Sequence, residues 1–570
     1  MTSRPSRQIK RAGLPVHTYL LQLINTNIKA IDSHSLANKD LLLRFSLTNS
    51  LLDTVHPQAF YAAPQLKSLK LSSNRLSSLP AGVLSPLASL EELHLDGNQL
   101  EAVTAGTFEG LVALQELDLS RNKLSSPTPG VFDRLSSLTF LNLGRNFIQK
   151  LPADVFSSLT KLRKLAMYNN EIEVLEAGMF DRLVHLQELK LHYNHIASLP
   201  PRLFWSLGNL SVLTLSSNRL QGVPERSFYN MPKLSQLTLY NNPLLTLPDQ
   251  LMGHMPEISL FYLYGTNLTT VPANLFANMS GLVDLNLHLN NKLADLPPDV
   301  FCCVPRLNKL SLRSNNLHYL HPQLFSRLTA LRTLLLNDNK LQSLPEDIFQ
   351  RLEQVSKVDL KKNHLQTLPG NIFLSNTQLK ELSLGDNLWN CSCGIRAIAR
   401  WIRENGRLVT DKDDVMCHSP PFQMLRTVGS LFIICSRHSF FPCGSWKASG
   451  SRKCLSQLII TLKITHSFAK PFCCHFTSRC CETHLHQLLF GAMITFHVRK
   501  GMYQNYTRLT ASGQRYGPGT NKWVKELINL LKMTADAWNS RGRLLDVGTN
   551  SKQKGSELVR STQVHRYDNG

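Results

Sequence analysis

The sequence predicts an α/β solenoid, a curved horseshoe whose concave wall is a parallel sheet, with a disulfide-stapled C-terminal cap and an irregular tail. Three observations predict it. The pattern Leu-x-Leu-x-x-Asn-x-Leu returns about every 24 residues, as at Leu93, Leu95, Asn98 and Leu100. A phenylalanine follows most of the asparagines at an offset of about ten residues, as Phe108 follows Asn98. The run then ends in Asn387-Leu-Trp389-Asn-Cys391-Ser-Cys393, where cysteines enter a pattern that had almost none.

One copy explains its own residue types. In Leu93-His94-Leu95 the leucines alternate with a polar residue, so they face one side of a short strand and His94 the other. Strands of successive copies stack in parallel and their leucines line one continuous core. The asparagine stands where the chain turns, and its amide can satisfy backbone groups of neighbouring copies that would otherwise be buried unpaired, at about 1–3 kcal/mol each. It recurs at Asn74, Asn98, Asn122, Asn146, Asn170, Asn194, Asn218 and Asn242, then after Thr266 at Asn290, Asn315, Asn339, Asn363 and Asn387. Period and consensus are those of leucine-rich repeats. A single copy cannot bury its apolar face, so stability comes from neighbours and the ends need caps.

In chain order, residues 1–14 are a basic leader, expected to be disordered. No apolar run of 7–15 residues follows the basic ones, so the segment does not read as a secretory signal. The repeats occupy 15–388. Their first copies are degenerate, with Thr26 and Ser50 in the asparagine place, and no cysteine cluster precedes them. The natural N-terminus is therefore expected to be missing, as in an incomplete or alternative gene model. Thr266 replaces asparagine in one later copy, and the copy around Asn290 carries one extra residue that should lengthen the register locally. Cys302 and Cys303 follow Phe301; the expectation is one buried filler and one exposed thiol, since adjacent cysteines lack the separation of metal ligands.

Residues 389–436 read as the cap: Cys391 and Cys393, a short helix around Ile395–Glu404, then Cys417 and Cys435. Four cysteines could hold zinc, but C-x-C with two distant partners fits a disulfide framework better. Disulfides imply an oxidising compartment. Sequons at Asn209, Asn267 and Asn278, in turns of the repeats, agree and are the expected glycosylation sites. Residues 437–570 form a divergent basic tail, expected to be disordered. Its Cys474, His475, Cys480, Cys481, His484 and His486 match no zinc-finger spacing, and its longest uncharged apolar run, 488–498, falls short of the ~20 residues a membrane helix needs.

The net charge of +22 invites a nucleic-acid reading until its location is considered. Residues 429–570 hold 20 Lys/Arg against 6 Asp/Glu, whereas 15–428 hold 38 against 34. The repeat region is nearly neutral, and nucleic acid is rejected as its partner.

Repeats that follow their last leucine with proline, at Leu79-Pro80, Leu151-Pro152, Leu199-Pro200 and Leu247-Pro248, resemble an extracellular vertebrate leucine-rich repeat family. That family includes platelet glycoprotein V and the non-catalytic subunit of carboxypeptidase N. Closer details are similar to glycoprotein V: Tyr240-Asn-Asn-Pro243 before the Thr266 copy, the extra residue near Asn290, and Cys391-Ser-Cys393-Gly with Trp401-Ile-Arg and Gly406-Arg-Leu-Val before Cys417. The resemblance spans residues 15–427. It implies a non-enzymatic adhesion or receptor subunit of haemostasis, at the cell surface or outside the cell and without a cofactor. Its implied partners are von Willebrand factor and other leucine-rich repeat receptor subunits. The alternative it implies is a soluble carrier that stabilises a plasma enzyme. It also implies the crossed cap pairing Cys391–Cys417 and Cys393–Cys435. No membrane span or stalk is legible after the cap, so anchoring and thrombin cleavage are not carried over to any residue.

The binding face is expected on the polar side of the strands. Two residues before each asparagine the chain reads Asp96, Ser120, Gly144, Tyr168, His192, Ser216, Tyr240, Tyr264, His288, Arg313, Asn337 and Lys361. Aromatics and histidines gather in the middle, with Tyr193 and Tyr262 beside them. Exposed aromatics on a rigid sheet are common anchors of protein interfaces, although tyrosine is also simply a good strand residue. Tyr168, His192, Tyr193, Tyr240, Tyr262, Tyr264 and His288 are the expected contacts. No nucleophile–base–orienter set and no metal cluster is legible on this face.

Overall fold

The structure, a computed structural model, describes residues 17–431, Leu425 excepted. The expectations for residues 1–14, for Cys435 and for the tail 437–570 lie outside the described residues. Sixteen strands form one sheet in chain order, each parallel to the next. Most are three residues long, such as Glu92–His94 and Glu116–Asp118; the first two, Leu20–Ile24 and Arg44–Thr48, have five. The register advances one repeat per strand, so Leu93 lies beside Leu117 and His94 beside Asp118. In Glu92–His94 the central leucine is fully buried while its polar neighbours are half-buried; elsewhere small polar neighbours such as Ser68, Thr214, Thr238 and Ser311 are buried too. The helical share is small: returning segments are mostly turns, with a 3-10 helix at Ala105–Thr107 and a short strand pair, Ala30–Ile31 with Thr54–Val55, and the one α-helix among the described residues, Arg396–Glu404, lies in the cap.

The asparagines make the contacts their position predicts. Asn98 Nδ2 donates to the carbonyls of Leu71, one repeat back, and of Leu95, in its own, at 2.9 and 3.0 Å. Its Oδ1 accepts the Leu76 N–H at 3.1 Å. Each amide thus pairs three backbone groups that packing has removed from water. Just before it the chain enters the left-handed region in copy after copy, as at Ser73, Gly97, Arg121 and Tyr193 with φ of 57°, 68°, 55° and 56°. The turn keeps these N–H groups in the parallel ladder: Arg121 donates to Gly144 at 2.9 Å and Tyr193 to Ser216 at 3.0 Å. Where Thr266 replaces asparagine, its hydroxyl donates forward to Asn290 Oδ1 at 2.7 Å. The extra residue near Asn290 is absorbed in the turn, and Leu285 still pairs with Leu310.

Phenylalanines close the far wall as a ladder of stacked rings. Phe108, Phe132, Phe156, Phe180, Phe204 and Phe228 follow one another at 6.1–6.4 Å between centroids. Met252 interrupts the ladder, and its copy packs unusually tightly: a Cβ on Gly253 would lie 1.8 Å from the Tyr229 carbonyl oxygen, so only glycine fits. The ladder resumes at Phe276, Phe301 and Phe325 and ends with Phe349, Phe373 and the cap residue Trp401, 5.1 Å from Phe373.

The cap covers the last strand, Glu381–Ser383, whose edge would otherwise expose unpaired backbone groups. Leu382 N–H donates to Leu408, Thr410 N–H donates back to Leu382, and the Asp411 carboxylate accepts from Leu384 and Gly385. Trp389 is fully buried, and Cys391 and Cys417 are joined by a disulfide. Cys393 is also disulfide-bonded. One expectation is corrected. Cys302 and Cys303 form a disulfide with each other; Cys302 is half-buried and Cys303 exposed, so neither is a core filler. Both follow Phe301 in a turn outside the leucine wall, which brings adjacent sulfurs together on the surface.

Candidate concave binding face

Residues alternating with the strand leucines project to the concave side, and the structure sorts the expected contacts into two groups. Tyr240, Tyr264 and His288 form one stack, with centroids 4.4 and 4.1 Å apart and rings within 13° of parallel. Tyr262, on the strand Leu260–Tyr262, leans on Tyr264 at 6.2 Å. Tyr168 and His192 form the second stack at 5.0 Å and 4°. Tyr193, in the left-handed turn and exposed, meets His192 edge-on at 5.6 Å.

Adjacent parallel strands lie about 4.8 Å apart, which is near the stacking distance of rings. Aromatics at one register position of neighbouring repeats therefore stack without adjustment. Ser216 breaks the row: it is buried beside Thr214 and Thr238, and Thr238 Oγ1 reaches its hydroxyl at 3.4 Å. His192 Nδ1 is held by the Thr214 hydroxyl at 2.7 Å. Gly144 sets the other flank, since a Cβ there would stand 2.6 Å from the Tyr168 ring. Only a glycine lets that ring lie where it does.

Electrostatics make this face neutral. Burial, with Arg313 and Lys309 nearby, pushes His288 down to about 4. Burial and Lys190 lower His192 as well. Burial and the neighbouring Tyr240 hydroxyl push Tyr264 up to about 12, and burial with the Asp284 carboxylate raises Tyr262. At neutral pH both imidazoles are uncharged and both phenols protonated. Charges stand at the rim as pairs, Lys190 with Glu188 and Lys309 with Asp284 at 3.1 Å. A shallow polar depression lined by Gln350, Arg351, Glu353 and Gln378 belongs to returning segments and not to this face.

The sequons lie off the aromatic row. Asn209 and Asn278 are in returning segments, and Asn267 follows the Thr266 turn. Asn278 is exposed, whereas Asn209 donates to the Val184 carbonyl at 2.9 Å and accepts from Lys233 at 2.8 Å. Sequence reasoning overlooked one grouping: a His94 ring nitrogen and carboxylate oxygens of Asp96 and Asp118 lie within 4.8 Å of one another. The signal was present, since Asp118 follows His94 by one repeat and Asp96 follows it by two residues.

Among the described residues, no helix is long and apolar enough to cross a membrane. The chain is similar in fold to the solved structure of the Toll–Spatzle complex of Drosophila, with 21% identity and a TM-score of 0.52 over 71% of this chain and 67% of that one. It is also similar to a leucine-rich repeat protein of Leptospira interrogans, with 25% identity and a TM-score of 0.51 over 68% of this chain and 94% of that one. No curated protein matches it. The family model described as leucine rich repeat matches residues 17–76, 40–100, 88–148, 138–196, 184–244, 256–317, 285–341 and 305–365, together more than half of the sequence. The chain belongs to the leucine-rich repeat family.

Proposed function

We propose that this chain is a non-enzymatic, extracellular protein-binding subunit that engages its partner through the central aromatic stretch of the concave face. The observation that carries the reading is the pair of ring stacks, Tyr168–His192 and Tyr240–Tyr264–His288, standing two residues past the ends of neighbouring strands of the parallel sheet and uncharged at neutral pH. Rings already stacked on one another lose little conformational freedom on binding, which favours association. Aromatic anchors dominate the energetics of many protein interfaces. The Cys391–Cys417 disulfide and the sequons at Asn209, Asn267 and Asn278 support an oxidising, extracellular setting.

The residue details shared with the glycoprotein V group make an adhesion-receptor subunit the leading form of this function, with von Willebrand factor the first partner to test. The full chain, immobilised, is exposed to purified von Willebrand factor and to the catalytic subunit of carboxypeptidase N. Saturable binding of von Willebrand factor alone supports the reading. Binding of the enzyme subunit alone replaces it with a carrier role, and binding of neither removes both forms.

A further inference from the structure

We propose that His94, Asp96 and Asp118 form a binding site for one divalent cation of the first transition row, near the N-terminal end of the concave face. The site is independent of the aromatic face and of any partner bound there.

The fold assembles it from two strands. His94 ends the strand Glu92–His94, and Asp96 stands two residues past it. Asp118 lies beside His94 in the register of the next strand. A ring nitrogen and one oxygen from each carboxylate come within 4.8 Å of one another, close enough for a single ion to touch all three. The carboxylates are oriented by their own partners, as ligands in metal sites commonly are. Ser72 Oγ donates to Asp96 Oδ1 at 2.5 Å, the Ser120 N–H to Asp118 Oδ1 at 2.9 Å, and Asn142 Nδ2 to Asp118 Oδ2 at 3.1 Å.

A second observation points to a missing ligand. His94 is half-buried as a residue, but its Nε2 is withdrawn from solvent and has no hydrogen-bond partner. A polar nitrogen withdrawn from water with nothing to bond is costly, and a coordinated cation in this cluster would offset that cost. The neighbouring lysine does not serve instead: Lys70, beside His94 in the register, pairs with Glu92 at 3.3 Å.

The donor set selects the ion. One imidazole with two carboxylates suits zinc or manganese, whereas calcium prefers six to eight oxygens and magnesium keeps most of its waters. Three protein ligands leave coordination positions open to the concavity.

The test uses the full chain, stripped with chelator and dialysed. ZnCl2, MnCl2, CaCl2 and MgCl2 are titrated calorimetrically into wild type, His94→Ala and Asp118→Asn, with circular dichroism to verify folding. Cysteines and histidines elsewhere in the chain also bind zinc, so the result is read as the difference between wild type and variant. The proposal predicts that each variant loses one zinc equivalent or binds it at least tenfold more weakly. It also predicts that zinc raises the wild-type melting temperature by more than either variant's. If His94→Ala misfolds, His94→Gln, which nearly keeps the volume, takes its place with the same reading. Equal zinc binding by wild type and both variants overturns the proposal, as does a wild type that takes calcium or magnesium in preference to zinc and manganese.

Discussion

Replacing Asn290 by alanine should be among the most damaging single changes of a polar residue in the repeats. Asn290 is completely buried and serves four groups. Its Oδ1 accepts from the N–H and the hydroxyl of Thr266, both at 2.7 Å. Its Nδ2 donates to the carbonyls of Leu263 and Leu287 at 3.0 and 2.9 Å. An unsatisfied buried group costs about 1–3 kcal/mol, and carbonyls tolerate the loss better than donors. Counting mainly the two donors gives about 3 kcal/mol. Asn98→Ala strands one N–H, that of Leu76, and two carbonyls, so about 2 kcal/mol is expected there. In a solenoid the damage stays near the altered repeat. Hydrogen exchange followed by mass spectrometry should show peptides across 260–295 opening roughly 100-fold more readily in Asn290→Ala, the equivalent of that free energy. Unchanged exchange in this window, or a larger effect from Asn98→Ala, would refute the reasoning.

Three further outcomes are expected. Leu239 is fully buried between repeats, so Leu239→Ala should cost about 2–5 kcal/mol through its cavity, read by denaturant titration; a loss below 1 kcal/mol would contradict the assigned register. Folding holds the His288 ring neutral, with a folded value of about 4 against an ordinary 6.5, so its contribution is complete above pH 6.5 and lost as pH falls toward 4. Because the ring is partly solvated, screening keeps that loss small; His288→Gln should flatten this part of the pH–stability curve, and parallel curves for variant and wild type would assign the effect elsewhere. Replacing Cys391 and Cys417 by serine removes a link of sequence separation 26 and should cost about 3.5 kcal/mol in the chain-entropy account, making the cap the first site of limited proteolysis; a cap as protected as wild type would contradict it.

The repeats were legible because most copies state the same physical requirement. Leucines must reach one core, an amide must satisfy the turn, and a phenylalanine must close the far wall. The period of two placed Tyr240, Tyr264 and His288 on the face where they stand. The serine that divides the row was legible at Ser216, but its burial was not, because that depends on how Thr214 and Thr238 close over it. The Cys302–Cys303 disulfide was misread, because adjacent cysteines carry no spacing signal and only the surface turn after Phe301 brings their sulfurs together. His94, Asp96 and Asp118 escaped notice because their proximity is a matter of register between strands and not of spacing along one segment.

The proposed protein-binding surface is the aromatic stretch of the concave face. The direct measurement is the affinity of Tyr240→Ala with Tyr264→Ala for von Willebrand factor, beside wild type and with melting temperatures recorded. Both rings are half-buried on the sheet surface and stack on each other at 4.4 Å, so their joint loss should cost only about 1 kcal/mol of stability. Truncated anchors commonly cost about 2 kcal/mol or more of binding, which is roughly a 30-fold weaker affinity. A folded double variant that binds at least 30-fold more weakly is the predicted result. A folded double variant that binds like wild type would show that the stacked rings are scaffold and that the binding surface lies elsewhere.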